Sequence, residues 1–472
     1  MSNDPLRIHL SLVSHTNIGK TTLARTLLSR DIGEVADRAH VTETTDDYVL
    51  ARTPEGCELI LWDTPGFGNS VALAKRLEGR TNPVGWFLSE VWDRVANKSL
   101  WLNQKALKHI KEISNVVLYL VNAIELPDSA PYVSAEMRIL EWIGKPVIVL
   151  LNQMGEPKPP EAEQADIDRW TNAMSTYPLV KFVLPMDAFA RCWVQEFALF
   201  DAIAKALPEE LHTTFDALRE IWSRKRRAAY NASIQAMAHY LEKLATDREV
   251  AETLSIKDQL KFLGKRLGLF KNETINDPIG AAQTALASRA ADEFCALTDK
   301  LIEINSLKGK GLRKEILQRL QSDWILKSAI PLAPAAVAGA VGTGATTGFA
   351  TDLASGGFSM GLGTLIGAIA GALGGAGFAI AYNHKNEVNC TIVTWSDDAL
   401  TRYFSDVVLL YLSISHFGRG RGNWVANEYP QPWRILSKGI VEDIDLKRKA
   451  PANQLDITLK KILFQLYPNC KI

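Results

Sequence analysis

The stretch SHTNIGKT, residues 14–21, follows an apolar run from Ile8 to Val13 and precedes the helix-like run Thr22 to Leu28. It matches the pattern G-x-x-x-x-G-K-[ST], except that Ser14 stands at the first glycine position. A strand, a glycine-containing turn and a helix in this order predict a loop that binds the phosphates of a nucleoside triphosphate. The alternative is an ordinary strand-turn-helix corner that binds no nucleotide. A second motif, described below, argues against this alternative.

Each residue type in this loop has a physical task. Gly19 lets backbone N–H groups and the N-terminus of the following helix point at negative charge. Lys20 would reach the terminal phosphates, and the Thr21 hydroxyl would bind Mg²⁺. The predicted nucleotide contacts in this loop are Ser14, His15, Thr16, Asn17, Ile18, Gly19, Lys20, Thr21 and Thr22.

The second motif is LILWDTPG, residues 59–66, an apolar strand that ends in an acidic residue and a turn. Asp63 is predicted to hold the Mg²⁺ shell. Gly66 has no side chain to block the terminal phosphate, so its backbone would sense whether that phosphate is present. Together the two motifs predict a nucleotide switch.

With these motifs, residues 5–205 resemble the Era- and TrmE-like branch of the translation-factor class of GTPases. The resemblance implies GTP and GDP as ligands and Mg²⁺ as cofactor. It also places a switch I segment at residues 44–47, Thr-Thr-Asp-Asp, where Thr44 or Thr45 would close over Mg²⁺ and the terminal phosphate. Of the two, Thr45 is assigned to the metal and to catalysis, with Lys20, Gly66 and Asn17 as the other catalytic candidates.

The residue after Gly66 is unusual for the wider class. Ras-like members carry a glutamine there that orients the attacking water, whereas this chain has Phe67, which cannot hydrogen-bond water. The TrmE-like subgroup uses K⁺ held partly by a P-loop asparagine, and Asn17 stands at the matching place. The resemblance therefore implies a K⁺ site, with a local side chain to backbone bond of Asn17 as the alternative.

The base-recognition segment departs from the family pattern. Residues 152–155 read Asn-Gln-Met-Gly where the family usually has Asn-Lys-x-Asp. Asn152 and Gln153 are still expected to contact the purine. The acid that would read guanine is missing at Gly155, so Glu156 is considered as a substitute and an ATP-hydrolysing variant stays open. The last base-contacting loop is expected around residues 186–188.

Length and composition set the wider frame. The chain has 472 residues, 47% of them hydrophobic, which suits about three folded domains. Its five scattered cysteines suit a reducing cytosol and argue against a disulfide framework, and the first seven residues show no secretory signal. Strands are predicted near residues 6–13, 47–52, 57–62, 116–122, 146–151 and 180–185.

The predicted fold is an α/β P-loop GTPase domain with a doubly wound, mostly parallel sheet, followed by a mainly α-helical region. The aromatic-rich stretch between Gly66 and Val116 is expected either to pack an inserted helix onto the domain or to form a nucleotide-sensitive partner surface. Asp397 to Ser415 is predicted to be a mostly buried helix. The predicted parts are the G domain at 1–206 with an insertion at about 69–115, a basic helical domain at 207–327, a hydrophobic hairpin at 328–383 and a mainly helical domain at 384–472.

The hairpin prediction comes from charge. Residues 328–383 contain Asp352 as their one ionised side chain, and both arms are long enough to cross a bilayer. Glycines at 363, 367, 371 and 375 lie four residues apart, which favours close helix packing in hydrocarbon. One alternative is a tightly packed helical hairpin that stays buried in a soluble protein. Another is a hairpin that inserts into the membrane only after a switch. From residue 206 onward the chain also resembles the uncharacterised C-terminal domain found fused to Era-like GTPases in bacteria.

Charge is also uneven along the chain. Residues 1–215 carry 21 basic and 28 acidic side chains, whereas residues 216–330 carry 20 and 15. The basic run 224–227 would face anionic lipid or RNA, or form a solvated helix face. The expected partner is a membrane or membrane protein at the cytoplasmic face of the inner membrane. A cytoplasmic, Era-like RNA- or ribosome-associated GTPase is the alternative, and a nucleotide-dependent dimer is also considered.

Overall fold

The computed structural model describes residues 5–29, 46–90, 98–155, 160–188, 192–252, 278–307, 378–383, 390–395, 397–417, 433, 436–437 and 451–468. Six strands form the N-terminal sheet, and all six were predicted. They lie within one or two residues of the predicted positions because each is a short apolar run bounded by polar residues or turns. The strands are β1 (Arg7–Ser14), β2 (Asp46–Arg52), β3 (Glu58–Asp63), β4 (Val116–Asn122), β5 (Val147–Asn152) and β6 (Val180–Pro185).

The sheet order places the phosphate loop at its centre. The order is β2-β3-β1-β4-β5-β6, and only β2 pairs antiparallel, with β3. The chain passes from β1 to β2 and β3 on one side and then to β4, β5 and β6 on the other, so the carboxyl end of β1 lies where the winding direction changes. Such a switch point opens a crevice for ligands in α/β sheets. The predicted α/β fold with a mostly parallel sheet is therefore confirmed.

Helices cover both faces of this sheet. The central strands β4 and β5 are buried along almost their whole length, as expected for strands with helices on both sides. Three of the helices, α2 to α4, fill most of the predicted insertion. The helices are α1 (Lys20–Leu28), α2 (Ser70–Leu77), α3 (Pro83–Ser89), α4 (Lys98–Glu112), α5 (Pro131–Ile143), α6 (Pro160–Met174) and α7 (Trp193–Ala206).

The C-terminal region is helical, as predicted, but it also contains a small sheet that was not predicted. Strands β7 (Arg248–Glu252), β9 (Cys390–Trp395) and β8 (Phe378–Asn383) pair antiparallel in the order β7-β9-β8. Strand β7 pairs with β9 although more than 120 residues separate them in sequence, and no local sequence pattern indicates this pairing. The helices are α8 (His212–Thr246), α9 (Pro278–Ile304), α10 (Asp397–Ser415) and α11 (Pro451–Leu466).

The small sheet corrects one part of the hairpin prediction. Residues 378–383 were expected to end a helical arm, and they form β8 instead, since their backbone pairs with β9. Residues 328–377 of the predicted hairpin lie outside the described residues. Within the ranges that the structure describes, none of the helices carries an apolar stretch long enough to span a bilayer. The helix predicted at Asp397–Ser415 is confirmed as α10, and most of its side chains are buried.

One hydrophobic core runs from the large sheet into the helical region. Helix α8 packs against β2 and α7 on one side and against α9, α10 and α11 on the other. Phe200 stacks on Trp222 with ring centroids 4.2 Å apart, and the Trp193 indole N–H donates to the Tyr411 hydroxyl at 3.0 Å. The large sheet and the C-terminal helices are thereby packed into one continuous body of side chains.

The basic run 224–227 divides between surface and core. The side chain of Arg224 is 71% exposed, whereas that of Arg226 is 15% exposed and pairs with the fully buried carboxylate of Glu196. Burial lowers the pKa of Arg226 to about 10. Both predictions for this run, contact with lipid or RNA and a solvated helix face, need exposed side chains, and both are wrong for Arg226 because its position on α8 turns it toward α7.

Candidate nucleotide site

The phosphate loop connects β1 to α1 in a compact turn. Asn17 and Gly19 adopt left-handed backbone conformations, with φ values of 65° and 94°. A Cβ atom on Gly19 would lie 2.8 Å from the Asn152 amide nitrogen, so the loop needs glycine there for space as well as for conformation. The N-terminus of α1, where backbone N–H groups lack helical partners, therefore faces the crevice at the end of β1.

Lys20 is held beneath this loop. Its side chain is 7% exposed, and its ammonium group donates to the Ser14 hydroxyl at 3.1 Å. Ser14 stands where the motif usually has glycine, and its hydroxyl supplies an acceptor that glycine lacks. Burial lowers the pKa of Lys20, while the nearby charges of Asp63 and Glu136 oppose that shift. A buried ammonium group of this kind is well placed to compensate phosphate charge.

Thr21 and Asp63 meet at the predicted Mg²⁺ position. The Thr21 hydroxyl donates to Asp63 Oδ2 at 2.5 Å, although 42 residues separate the two in sequence. The other oxygen, Asp63 Oδ1, is buried and has no hydrogen-bond partner among the described residues. Burial raises the pKa of Asp63, and Lys20 and Thr21 lower it in part. A buried carboxylate with an unsatisfied oxygen beside a hydroxyl fits a hard divalent cation such as Mg²⁺.

The second motif approaches the phosphate loop closely. The Phe67 backbone N–H donates to the Ser14 carbonyl oxygen at 2.9 Å. A Cβ on Gly66 would lie 3.0 Å from the Lys20 ammonium nitrogen and 3.1 Å from Thr16 Cα, which leaves no room for a side chain. The Phe67 ring is fully buried, so it fills the core beneath the loop.

Asn152 ties the base-recognition segment to the phosphate loop. Its amide nitrogen donates to the Ile18 carbonyl oxygen at 2.6 Å, and its amide oxygen accepts from the Ala188 N–H at 2.8 Å. Gln153 is half-buried and has a positive φ of 53°. Predicted contacts from β1, β3 and β5 therefore converge at one edge of the sheet.

Three residues considered in the sequence analysis cannot be placed in this site. Thr44 and Thr45, assigned to switch I, lie outside the described residues, as does Glu156. Thr22 is described, and it is buried in the first turn of α1.

A buried acid under the phosphate loop was missed by sequence reasoning. Glu136 on α5 is fully buried and binds His15 Nδ1 at 2.8 Å and the Tyr119 hydroxyl at 2.7 Å. His15 also stacks on Tyr132, with ring centroids 4.5 Å apart. The available signal was an acidic residue on the apolar face of a helix, between Val133 and Leu140. These contacts anchor the second residue of the phosphate loop to α5.

Comparison with known families agrees with this geometry. Residues 9–153 match the family model described as 50S ribosome-binding GTPase. Residues 303–454 match the model described as Domain of unknown function (DUF3482). The chain therefore carries a P-loop GTPase domain, consistent with a GTP hydrolase, and a C-terminal domain of the second type. No curated protein matches the chain.

Two solved structures of Era are similar to part of this chain. One is Era in complex with MgGDPNP and a segment of 16S ribosomal RNA, with 20% sequence identity, a TM-score of 0.32 and coverage of 44% of this chain. Another is Aquifex aeolicus Era bound to GDP and AlF4⁻, with 21% identity, a TM-score of 0.31 and coverage of 43%. The chain spans 58% of the length of each of these structures.

Proposed function

We propose that the protein is a GTP-controlled switch whose nucleotide site is the crevice at the carboxyl end of β1. The observation that carries this proposal is the unsatisfied, buried Asp63 oxygen beside Thr21 and Lys20. When bound, Mg²⁺ would neutralise charge on the phosphates. Lys20 then compensates the terminal phosphate, and the backbone of Gly66 reports whether that phosphate is present.

Guanine preference is the direct test of this function. The affinity of the full chain for GTP and for ATP would be measured in the presence of Mg²⁺, by titration with fluorescent analogues. We expect GTP to bind at least about tenfold more tightly, since about 1.4 kcal/mol of discrimination suffices for that ratio. An ATP affinity equal to or above the GTP affinity would reject the GTP switch in favour of the ATP-hydrolysing alternative.

Water activation is assigned to a cation and not to a side chain after Gly66. Phe67 is fully buried and offers no hydrogen bond to water. Asn17 lies in the phosphate loop with its backbone in the left-handed region, where it turns the chain around the phosphates. A K⁺ ion bound by Asn17 would stabilise charge that develops between the phosphates.

Replacing K⁺ by Na⁺ is therefore expected to slow GTP turnover by about tenfold, equivalent to about 1.4 kcal/mol in the barrier. The Asn17→Ala variant is expected to turn over GTP equally slowly in both salts. Asn172→Ala, on the exposed face of α6, is the control and should keep the difference. Equal wild-type rates in K⁺ and Na⁺ would remove the cation from the mechanism.

The output of the switch is proposed to pass through α8. Arg226 on this helix donates to the Leu27 carbonyl oxygen at 3.1 Å and to the Ser29 hydroxyl at 2.9 Å. Leu27 and Ser29 lie at the end of α1. The predicted switch I, residues 44–47, follows later in the sequence. Helix α8 also packs on α9, α10 and α11. We infer that a change at the end of α1 reaches the C-terminal helices through α8.

We propose that the switch acts at the cytoplasmic face of a membrane. The support is the span 328–377, in which Asp352 is the one charged residue. The competing destination is RNA, supported by the net positive charge of residues 216–330. Fractionation after high-salt and carbonate washes separates them, because inserted protein resists both washes. Complete release by high salt, unchanged on deletion of 328–377, would favour the RNA alternative.

A further inference from the structure

The base-recognition segment lacks an acid of its own, yet a carboxylate from another loop lies against it. Asp187 lies two residues after the end of β6 and is 9% exposed. Its Oδ2 atom accepts a hydrogen bond from the backbone N–H of Met154 at 3.0 Å. Met154 is the residue before Gly155. The Asp187 carboxylate therefore binds the segment one residue before the position where the family pattern has an acid.

The two loops form one wall of the crevice. Strands β5 and β6 are parallel neighbours, and Leu151 lies opposite Pro185 at their carboxyl ends. The Ala188 N–H also donates to the Asn152 side chain, which in turn holds the phosphate loop through Ile18. The hydrogen bond from Met154 to Asp187 and the bond from Ala188 to Asn152 together position Asp187 relative to the phosphate loop.

Few described atoms lie beside Gly155. Gly155 is exposed and has a φ of 82°, and among the described residues a Cβ built there would meet the Ile124 side chain alone, at 3.5 and 3.7 Å. A second described carboxylate in this area, Glu125, accepts hydrogen bonds from Asn122 and from the Tyr132 hydroxyl through its two oxygens. Asp187 is thus the described carboxylate that lies directly against residues 152–155.

Guanine and adenine differ at the edge that such a group would read. Guanine presents N–H donors at N1 and at its 2-amino group, whereas adenine has an acceptor at N1 and no amino group at C2. An ionised carboxylate accepts hydrogen bonds and donates none. It pairs with the guanine edge and repels the adenine edge, and a site built to hydrogen-bond a substrate group strongly rejects an analogue without it.

We propose that Asp187 is the residue that determines guanine specificity in this protein, in place of an acid at position 155. The assignment rests on the proposed nucleotide-binding function and adds the residue that selects the base. The carboxylate comes from the loop after β6, which the Met154 N–H holds against the base-recognition segment.

The test is a nucleotide panel of GTP, ATP and xanthosine triphosphate on the full chain and on Asp187→Asn. The amide oxygen of asparagine can still accept from Met154, so the contact between the loops is retained. Its NH₂ group would oppose the guanine donors but would pair with the 2-carbonyl oxygen of xanthine. We expect at least a tenfold loss of GTP affinity together with a gain in xanthosine triphosphate affinity, which a purely structural role would not produce.

Two further variants sharpen this result. In the double variant D187N/G155D the carboxylate returns from the neighbouring position, and aspartate is among the residues that tolerate a positive φ; GTP preference should recover. Glu156→Gln tests the other acid considered for reading the base, and this variant should keep the wild-type GTP to ATP ratio. An unchanged ratio in D187N, or loss of the ratio in E156Q alone, would overturn the assignment. A wild-type chain that binds neither triphosphate overturns the proposed function itself, and this assignment with it.

Discussion

Replacing Lys20 by methionine is expected to lower GTP turnover by on the order of 10²–10³-fold, the usual cost of removing one preorganised group that stabilises transition-state charge. Methionine fills a similar volume without charge, so the change removes the ammonium group that binds Ser14 Oγ. That group stands between the phosphate loop and Gly66, where charge builds up on the terminal phosphate. Single-turnover hydrolysis at saturating GTP measures the chemical step directly.

The control for this experiment is Lys108→Met on the exposed face of α4, which should keep wild-type turnover. Circular dichroism should show that K20M keeps its secondary structure, because burial already lowers the pKa of this lysine and disfavours its charge. Turnover within tenfold of wild type in K20M would mean that Lys20 does not act on the phosphates.

Replacing Arg226 by methionine is expected to cost about 3–5 kcal/mol of unfolding free energy, because it leaves a buried charge without its partner. The Glu196 carboxylate is fully buried, and Arg226 binds it through two nitrogens, each at 2.9 Å. The change also removes the donors that satisfy Leu27 O and Ser29 Oγ at the end of α1. Urea unfolding, read by its midpoint and slope, measures the loss.

Two variants test the cause of this loss. Arg224→Ala, on the same run and 71% exposed, should change stability by less than about 0.5 kcal/mol. The double variant R226M/E196L removes both charges and should recover most of the lost stability, since apolar pairs often replace buried ion pairs without cost. A loss below about 1 kcal/mol in R226M would show that Glu196 is not dependent on Arg226.

The positions of the six strands in the large sheet follow from local patterns. Each of its six strands is a short apolar run, and short runs of this kind are legible in sequence because both faces of a central strand are buried. The phosphate loop is equally local, since residues 14–21 are contiguous. The C-terminal sheet was not predicted, because β7 and β9 pair across more than 130 residues and neither strand alone indicates its partner.

The candidate site was predictable only where its motifs are contiguous. Lys20, Thr21 and Asp63 come from such motifs, and the structure brings them together. Glu136 was assigned no role, and Asp187 was predicted only as part of the base-contacting loop at 186–188, because their contacts with His15 and Met154 join residues 121 and 33 positions apart. A pairwise contact at that separation depends on the packing of whole elements, which single-sequence reasoning does not provide.

The amino-acid sequence by itself determined that this protein binds phosphate through a strand, a loop and a helix, because all the groups involved are neighbours along the chain. Tertiary structure decided which charges face that site and which are buried. Arg226 belongs to a basic run in sequence, yet it is a buried link between α8 and α1. Asp187 is an isolated acid in sequence, yet it lies against the base-recognition segment. Burial and distance set the role of a charged group, and both arise only when the elements pack.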